Sequence, residues 1–223
     1  MSVYNGADFL DESIESILKQ TFNDFEFIII DDGSTDESYE IIQSYANKNR
    51  QIVVIQNKNR IHLTKSLNNG LKIAKGKYIA RQDADDISLP ERLQTQITYM
   101  ENNEDIGILG TSVELIDVKS KNIRTIKGQS NTNFLKWHLL LSNPLIHSSV
   151  MLRSELITSN GGYDNTFIKS QDYALWSKLS KISKITQLPN VLVKRRIKYT
   201  SFETEQFNTS VGIMHSNIKT FLQ

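Results

Sequence analysis

The stretch that decides the fold is FEFIIIDDGSTD, residues 25–36, in which an apolar run ends in two aspartates and a glycine. Residues 25–30 are apolar except for Glu26. A run of this length is too short for a helix and is typical of a strand buried on both faces of a parallel sheet. The stretch therefore predicts a buried strand that carries Asp31 and Asp32 at its carboxyl end.

Short apolar segments alternate with amphipathic helical patterns on both sides of this strand. Before it, an apolar start at residues 1–4 leads into a helix whose apolar side chains recur at helical spacing. After it, the pattern predicts a helix, a strand over 52–55, a helix closed by Gly76 and a strand over 78–80. This order predicts an α/β fold with a mostly parallel central sheet flanked by helices. Ligands bind such sheets at the carboxyl ends of their strands.

Composition restricts the class of protein. The chain has 223 residues, of which 39% are hydrophobic and 23% charged, and this is typical of one large globular domain or two small ones. The net charge of +1 provides no long-range field for nucleic acid or for anionic lipid, so binding must come from a local site and no nucleic-acid partner is expected. The lack of cysteine excludes disulfides, zinc–thiolate sites and thiol nucleophiles, and it fits a reducing, cytoplasmic compartment. No window approaches the roughly 18 apolar residues of a membrane span.

Five carboxylates follow two of the predicted strands, at Asp31, Asp32, Asp83, Asp85 and Asp86. Carboxylates gathered at one sheet edge repel one another and destabilise the fold unless a cation neutralises them. In an extended segment Asp83 and Asp85 point to the same side, so their oxygens can converge on one hard ion. Mg²⁺ or Mn²⁺ held in this way completes its shell with water and phosphate oxygens, which predicts a phosphorylated ligand. The alternative is that these acids only cap helices.

Glycine loops that cradle phosphates are absent from the sequence. Neither G-x-G-x-x-G nor G-x-x-x-x-G-K-[ST] occurs. Their absence argues against a dinucleotide-dependent oxidoreductase and against a P-loop kinase. A nucleotide held through carboxylates and a metal is the interpretation that remains.

Four motifs in order strongly resemble glycosyltransferase family 2, whose domain has the GT-A fold. They read SVYNG at 2–6, SILKQTF at 16–22, IDDGSTD at 30–36 and AKGKYIARQDADD at 74–86. Further along the chain, SVMLR at 149–153, GGYD at 161–164 and DYALW at 172–176 also resemble the family. The match runs from Ser2 to about Arg196. Because the family usually carries several apolar strand residues ahead of the position of Ser2, we expect the first strand to be incomplete.

The resemblance implies one GT-A domain over residues 1–200. Its nucleotide-sugar-binding half would cover 1–112 and its acceptor half 113–200. A helical extension would follow at 201–223.

The resemblance also implies a donor site, most simply for a UDP-sugar. Tyr4 stands where the family packs a side chain on uracil, and Asp32 where a carboxylate accepts from the imide N–H. Asp83 would lie toward the ribose and the metal waters, and Asp85 would coordinate the Mn²⁺ or Mg²⁺ held on the diphosphate. The remaining donor-binding candidates are Ser2, Lys65, Arg81 and Ala84. For the two basic residues, a solvated side chain at the end of a helix or strand is the alternative.

The acceptor side is expected to supply a general base. Inverting transfer needs such a base within hydrogen-bond reach of the acceptor hydroxyl. The resemblance gives this role to Asp172, although Gln171 replaces the more usual Glu, and the alternative is that Asp172 caps its helix. His147 and Trp176 are candidate acceptor contacts, while a lone histidine and a tryptophan at helical spacing equally fit a core.

The sequence as a whole predicts a metal-dependent inverting glycosyltransferase of the hexosyl or N-acetylhexosaminyl type. We expect it to act on a glycan or a lipid-linked acceptor in cell-surface polysaccharide synthesis, in the cytoplasm, and peripheral contact with the inner face of the membrane is compatible with this role. One alternative is a catalytically inactive nucleotide-sugar-binding domain. The other is a sugar-nucleotidyltransferase, which would need a basic, glycine-rich N-terminal loop that this sequence lacks.

Overall fold

Helices and strands alternate along the chain in the structure, a computed structural model that describes residues 1–197 and 204–221. The first sheet has three parallel strands in the order β1-β2-β3. These strands are β1 (Ser2–Val3), β2 (Phe27–Asp31) and β3 (Ile52–Gln56). The helices that follow each of them are α1 (Ala7–Leu18), α2 (Ser38–Ala46) and α3 (Leu63–Ile73).

The second sheet is mixed and, within the described residues, contains six strands. Its order is β4-β8-β6-β9-β5, and β7 pairs with β6. The strands are β4 (Tyr78–Ala80), β5 (Ile87–Ser88), β6 (Ile106–Ile116), β7 (Asn122–Ile126), β8 (Met151–Arg153) and β9 (Lys184–Arg196). The accompanying helices are α4 (Arg92–Glu101), α5 (Thr132–His138), α6 (Ser154–Ser159), α7 (Gln171–Leu179) and α8 (Thr204–Phe221). None of the described helices combines the length and hydropathy that a membrane crossing requires.

Apolar periodicity explains how the first helix packs on the first sheet. Leu10, Ile14 and Ile17 recur at helical spacing and are buried on one face of α1. They share a core cluster with Phe27 and Ile29 of β2. The parallel strands and their helices therefore bring the carboxyl ends of β1 and β2 side by side, where the sequence places its first acidic pair.

The α/β class is confirmed, and the pairing of the fourth strand is where the prediction was wrong. Residues 78–80 form a strand as predicted, but this strand pairs antiparallel with β8 and not with the first sheet. The two-residue β1 offers little backbone to pair with, whereas β8 supplies a partner for all three residues of β4. The strand β8 is short, because a 3-10 turn at His147–Ser149 precedes it. The domain boundary predicted between 200 and 201 lies outside the described residues.

A groove of about 740 Å³ separates β2 from β4, and its lining includes Ile28, Gly70 and Tyr78. The amino group of Met1 borders this groove and donates a hydrogen bond of 2.8 Å to the Ile28 carbonyl. Burial lowers the pKa of this amine from 8.0 to about 4, and the positive charge of Arg81 acts in the same direction. The folded chain therefore favours an uncharged amino terminus at neutral pH.

Candidate active site

Side-chain hydrogen bonds tie together the loops that follow β1 and β2. The Asn5 side-chain oxygen accepts from the Thr35 N–H at 2.8 Å, and the Gly6 N–H donates to the Ser38 hydroxyl at 2.9 Å. Asn5 itself has a positive φ of 50°, which asparagine tolerates better than most residues. The two loops therefore form one rigid edge next to Tyr4.

Asp32 at this edge is buried and is held by three donors. The Asn57 amide, the Ile61 N–H and the Ser66 hydroxyl each donate to its Oδ1 at 2.9 Å. Because all three donors reach one oxygen, the carboxylate is held in a single orientation and its Oδ2 points away from them. The neighbouring Asp31 is fully buried, and its Oδ2 has no hydrogen-bond partner within the described part of the chain.

A cation–π pair stands at the mouth of the same edge. The Arg60 guanidinium carbon lies 3.9 Å from the centroid of the Tyr4 ring, which is 38% exposed. Gly33, with a φ of +73°, lets the chain at Asn59 and Arg60 approach, since a Cβ there would lie 2.9 Å from the Arg60 nitrogen. Arg60 follows no recognisable motif, so its position over Tyr4 could not be predicted from the sequence.

The acidic loop after β4 begins with a buried ion pair. Arg81 is 4% exposed, and its guanidinium pairs with the Asp83 carboxylate. Burial acts to raise the pKa of Asp83, but the guanidinium of Arg81, aided by Arg195, holds it below its usual range. Asp83 is therefore ionised at neutral pH.

Buried polar side chains hold this loop from the interior of the protein. Arg92 is fully buried and donates to the Arg81 carbonyl at 2.7 Å, to Gln82 Oε1 at 3.0 Å and to Ser88 Oγ at 2.8 Å. It also donates to Gln96 Oε1 at 3.1 Å. Burial lowers the pKa of Arg92 to about 9, which still leaves it charged at neutral pH. A charged residue on a helix normally faces solvent, so the role of Arg92 under the loop could not be predicted from the sequence.

Asp86 and Arg196 close the loop from the other side. Asp86 Oδ1 accepts from the Arg196 N–H at 2.8 Å, and its Oδ2 accepts from the Ser148 hydroxyl. The Arg196 side chain donates to the Asp85 carbonyl at 3.1 Å. Burial raises the pKa of Asp86 to about 7, and the Asp83 carboxylate adds to the rise. The end of β9 therefore fixes the backbone of the acidic loop.

Asp172 lies in the first turn of α7 and is half-buried. Its Oδ2 accepts from the Asn143 amide and its Oδ1 from the Tyr173 N–H, both at 2.8 Å. Burial raises the pKa of Asp172, and the Asp83 carboxylate acts in the same direction, while the two hydrogen bonds oppose them. The cap position of α7 is Ser170, so the alternative that Asp172 is the helix cap is not supported.

The two candidate acceptor contacts differ in their surroundings. His147 is half-buried, its ring nitrogen lies 2.7 Å from the Tyr163 hydroxyl, and burial lowers its pKa to about 3, which makes it neutral. Trp176 has no exposed surface and belongs to the largest core cluster. The structure therefore does not support Trp176 as an acceptor contact, because its ring face is not available to a sugar.

The two sheets meet at the acidic loop. Ala84 packs against Val3 in the first core cluster, and a Cβ on Gly6 would lie 3.6 Å from its methyl group. On the other side, the Asp83 carboxylate affects the pKa values of both His147 and Asp172. Of the other candidates, Ser2 and Ala84 are half-buried, and Lys65 is exposed on α3. The acidic loop thus packs on the first core cluster through Ala84 and lies close enough to Asp172 for the Asp83 charge to act on that carboxyl group.

The residues of the acidic loop fit a divalent ion that brings further ligands with it. Among the described residues, no group of three His, Asp or Glu side chains gathers to hold an ion alone. Asp83 and Asp85 are two half-buried carboxylates on one short loop. One or two carboxylates, completed by water and phosphate oxygens, are the usual donor set for Mg²⁺ and related ions.

Comparison with known proteins gives matches along the chain. The model of the family described as Glycosyl transferase family 2 matches residues 1–156. An uncharacterized glycosyltransferase of Methanocaldococcus jannaschii is 37% identical over 88% of this chain and 69% of the relative. The amylovoran biosynthesis glycosyltransferase AmsE of Erwinia amylovora is 30% identical over 88% of this chain and 74% of the relative.

Solved structures share the fold at low identity. TarS of S. aureus in complex with UDP superposes with a TM-score of 0.76 at 20% identity, over 97% of this chain and 63% of that chain. The mannosyltransferase PcManGT from Pyrobaculum calidifontis, in complex with GDP-Man and Mn²⁺, gives a TM-score of 0.75 at 15% identity, over 98% of this chain and 62% of that chain. The chain therefore spans somewhat less than two thirds of these structures, and its fold is that of GT-A glycosyltransferases.

Proposed function

Because the chain belongs to glycosyltransferase family 2, we propose that it transfers a sugar from a UDP-sugar to the hydroxyl of a glycan or lipid-linked acceptor, with inversion. The observation that carries this proposal is the position of the acidic loop, which packs on the first core cluster through Ala84 and carries the Asp83 charge that acts on Asp172. Residues 1–112 would supply the donor half and 113–200 the acceptor half. AmsE is named for polysaccharide biosynthesis, which supports cell-surface polysaccharide as the product class.

The nucleotide side of the proposal depends on Asp32. Its Oδ1 is occupied by three donors, so its Oδ2 is the oxygen that would accept the imide N–H of uracil. Tyr4 and Arg60 would hold the base at the mouth of the same edge. Because a buried carboxylate needs a hydrogen-bond donor, it favours a base that offers an N–H group. An apolar slot makes no such distinction.

Asp83 and Asp85 would hold Mn²⁺ or Mg²⁺ together with the donor diphosphate. The bound ion would act as a Lewis acid on the leaving group. Arg81 keeps Asp83 ionised and supplies positive charge within the cleft. Ser2, Ala84 and Lys65 are the remaining donor-side candidates, and the exposure of Lys65 on α3 leaves its side chain able to reach a bound phosphate only by extension.

Asp172 would accept the proton of the acceptor hydroxyl. A general base works best when its pKa is near the operating pH, and burial moves the pKa of Asp172 in that direction. The Asn143 amide orients the carboxylate. His147, neutral and bonded to Tyr163, would line the acceptor side.

Calorimetric titration of UDP, GDP and ADP tests the donor site. With Mn²⁺, we expect UDP to bind more tightly than GDP and ADP. EDTA, or the change Asp85→Ala, should weaken UDP binding by about 10- to 100-fold, since a hydrogen bond or contact to a charged group contributes about 1.5–3 kcal/mol.

A matched control keeps this test specific to the acidic loop. Asp105 is an exposed aspartate that pairs with Lys184 outside the cleft, so Asp105→Ala should bind UDP as the unchanged protein does. Equal affinity for the three nucleotides, or binding that EDTA does not weaken, would contradict the proposed donor site. Metal-dependent UDP binding without transfer to any acceptor would instead favour the inactive binding domain.

A further inference from the structure

One helix exposes an apolar ridge that the proposed chemistry does not use. Phe134, Trp137 and Leu141 are 46%, 56% and 45% exposed. The helical turn continues past the end of α5, because the Leu141 N–H still donates to the His138 carbonyl at 2.9 Å. Their spacing of three and four residues places the three side chains on one face. Leu135, on the opposite face, is fully buried in the core.

Exposed apolar side chains concentrate in this part of the chain. Eleven large apolar side chains are exposed in the described residues. Five of them fall within residues 118–141, namely Val118, Ile123, Phe134, Trp137 and Leu141. The three on and just after α5 form one exposed apolar group, since the ring centroids of Phe134 and Trp137 lie 6.2 Å apart, and a grouped set of this kind marks an interaction surface where single scattered residues do not.

The same part of the chain is basic and contains no acid. Residues 118–154 include no Asp or Glu and six Lys or Arg, while the whole chain has a net charge of only +1. The six basic residues are Lys119, Lys121, Arg124, Lys127, Lys136 and Arg153. The acids that flank the β6–β7 hairpin are engaged locally, since Asp117 accepts the N–H groups of Lys119 and Lys121 and Glu114 accepts from Asn122.

We propose that the segment 118–141, with the α5 ridge as its apolar part, docks peripherally on an anionic lipid membrane. Tryptophan and phenylalanine are the side chains favoured at the membrane–water interface. Amphipathic elements bind there through buried apolar area and through attraction of Lys and Arg to anionic lipid. The four exposed basic residues that precede α5 supply this attraction; they are Lys119, Lys121, Arg124 and Lys127.

A second copy of the chain fits this surface less well than a membrane does. A two-fold interface brings the same patch of both copies together. The acid-free segment would then face itself, and its like charges would repel each other. A negatively charged lipid surface is complementary to it instead.

The surface ends next to the proposed base. Asn143 lies two residues after Leu141 and donates to Asp172. Docking through α5 would therefore bring Asp172 close to the lipid surface, where a lipid-linked acceptor presents its sugar. This orientation rests on the proposed function, whereas the docking itself does not.

Vesicle binding tests the proposal without any donor or acceptor. The chain has two tryptophans, and Trp176 is fully buried, so a change in emission on binding reports Trp137. We expect a blue shift with vesicles of phosphatidylglycerol and phosphatidylcholine, little shift with phosphatidylcholine alone, and a loss of binding at high salt. The triple change Phe134→Ser, Trp137→Ser and Leu141→Ser should lower the partition coefficient by about tenfold or more in co-sedimentation.

A control variant has the same chemistry at another place. Ile73→Ser with Ile182→Ser also removes exposed apolar side chains, 40% and 61% exposed, and should bind vesicles normally. Urea unfolding followed by circular dichroism, measured on every variant, reports whether the fold is kept. Absence of binding to anionic vesicles, or binding that survives the triple change, would overturn the proposal. It would also be overturned if light scattering showed a dimer that the triple change converts to a monomer.

Discussion

Asp172→Asn is expected to lower kcat by about 10²- to 10⁴-fold, the usual contribution of a positioned general base, and to leave UDP affinity unchanged. The amide keeps the size of the carboxylate and its place beside Asn143 and the Tyr173 N–H. It cannot accept the hydroxyl proton. UDP release from UDP-sugars, measured with acceptor glycans and with water as the acceptor, gives the rate, and calorimetry gives the affinity.

The pH profile separates a base from a structural residue at this position. Because the pKa of Asp172 is raised, the rate of the unchanged enzyme should fall as the pH drops through that pKa. The asparagine variant should lose this acid limb and keep its unfolding free energy. A variant that turns over normally, or that loses UDP binding and stability together, would show that Asp172 is not the base.

Arg92→Met is expected to destabilise the fold by about 3–5 kcal/mol, because each buried acceptor that it leaves unsatisfied costs about 1–3 kcal/mol. Methionine fills a similar volume but removes every donor. The Arg81 carbonyl, Gln82 Oε1, Ser88 Oγ and Gln96 Oε1 would each lose a hydrogen bond inside the protein. Urea unfolding followed by circular dichroism measures the loss.

Two further variants serve as controls for the Arg92→Met measurement. Arg50 is exposed, so Arg50→Met should change stability by no more than about 0.5 kcal/mol. Arg92→Lys keeps the charge without the planar fork and should fall between the two. Because Arg92 supports the backbone of residues 81–86, its loss should also weaken metal-dependent UDP binding. A loss of less than about 1 kcal/mol for Arg92→Met would mean that water replaces the missing donors.

Local patterns were sufficient for the elements of the first sheet. The strand predicted from residue 25 begins at Phe27, where burial on both faces leaves a continuous apolar run. The strand predicted over 52–55 ends at Gln56. The pairing of β4 was not predictable in this way. Its partner, β8, lies more than seventy residues further along the chain, and periodicity carries no information on such pairings.

The candidate site, too, could be predicted from the sequence only in part. Motifs pointed to Asp32, Asp83, Asp85 and Asp172, whose roles remain predictions. The groups that fix these carboxylates in the structure had no sequence signal, since a buried Arg92 looks like any helical surface arginine. Trp176 shows the opposite case, because helical spacing fitted both a core position and a sugar contact, and only the structure shows that the ring is buried.

The acidic loop can be fixed in place only late in synthesis, because the residue that holds it, Arg196, lies near the end of the described strands. Its contacts join Asp86 and Glu12, which are 110 and 184 residues earlier in the chain. At about 5–20 residues per second, a ribosome would finish the first sheet roughly 7–30 s before it reaches Arg196. The nascent chain would then hold a formed β1–β2 edge beside an acidic loop that nothing yet anchors. A fragment that ends before Arg196 would keep the fold of the first sheet. It would lose the Arg196 contacts that hold the acidic loop.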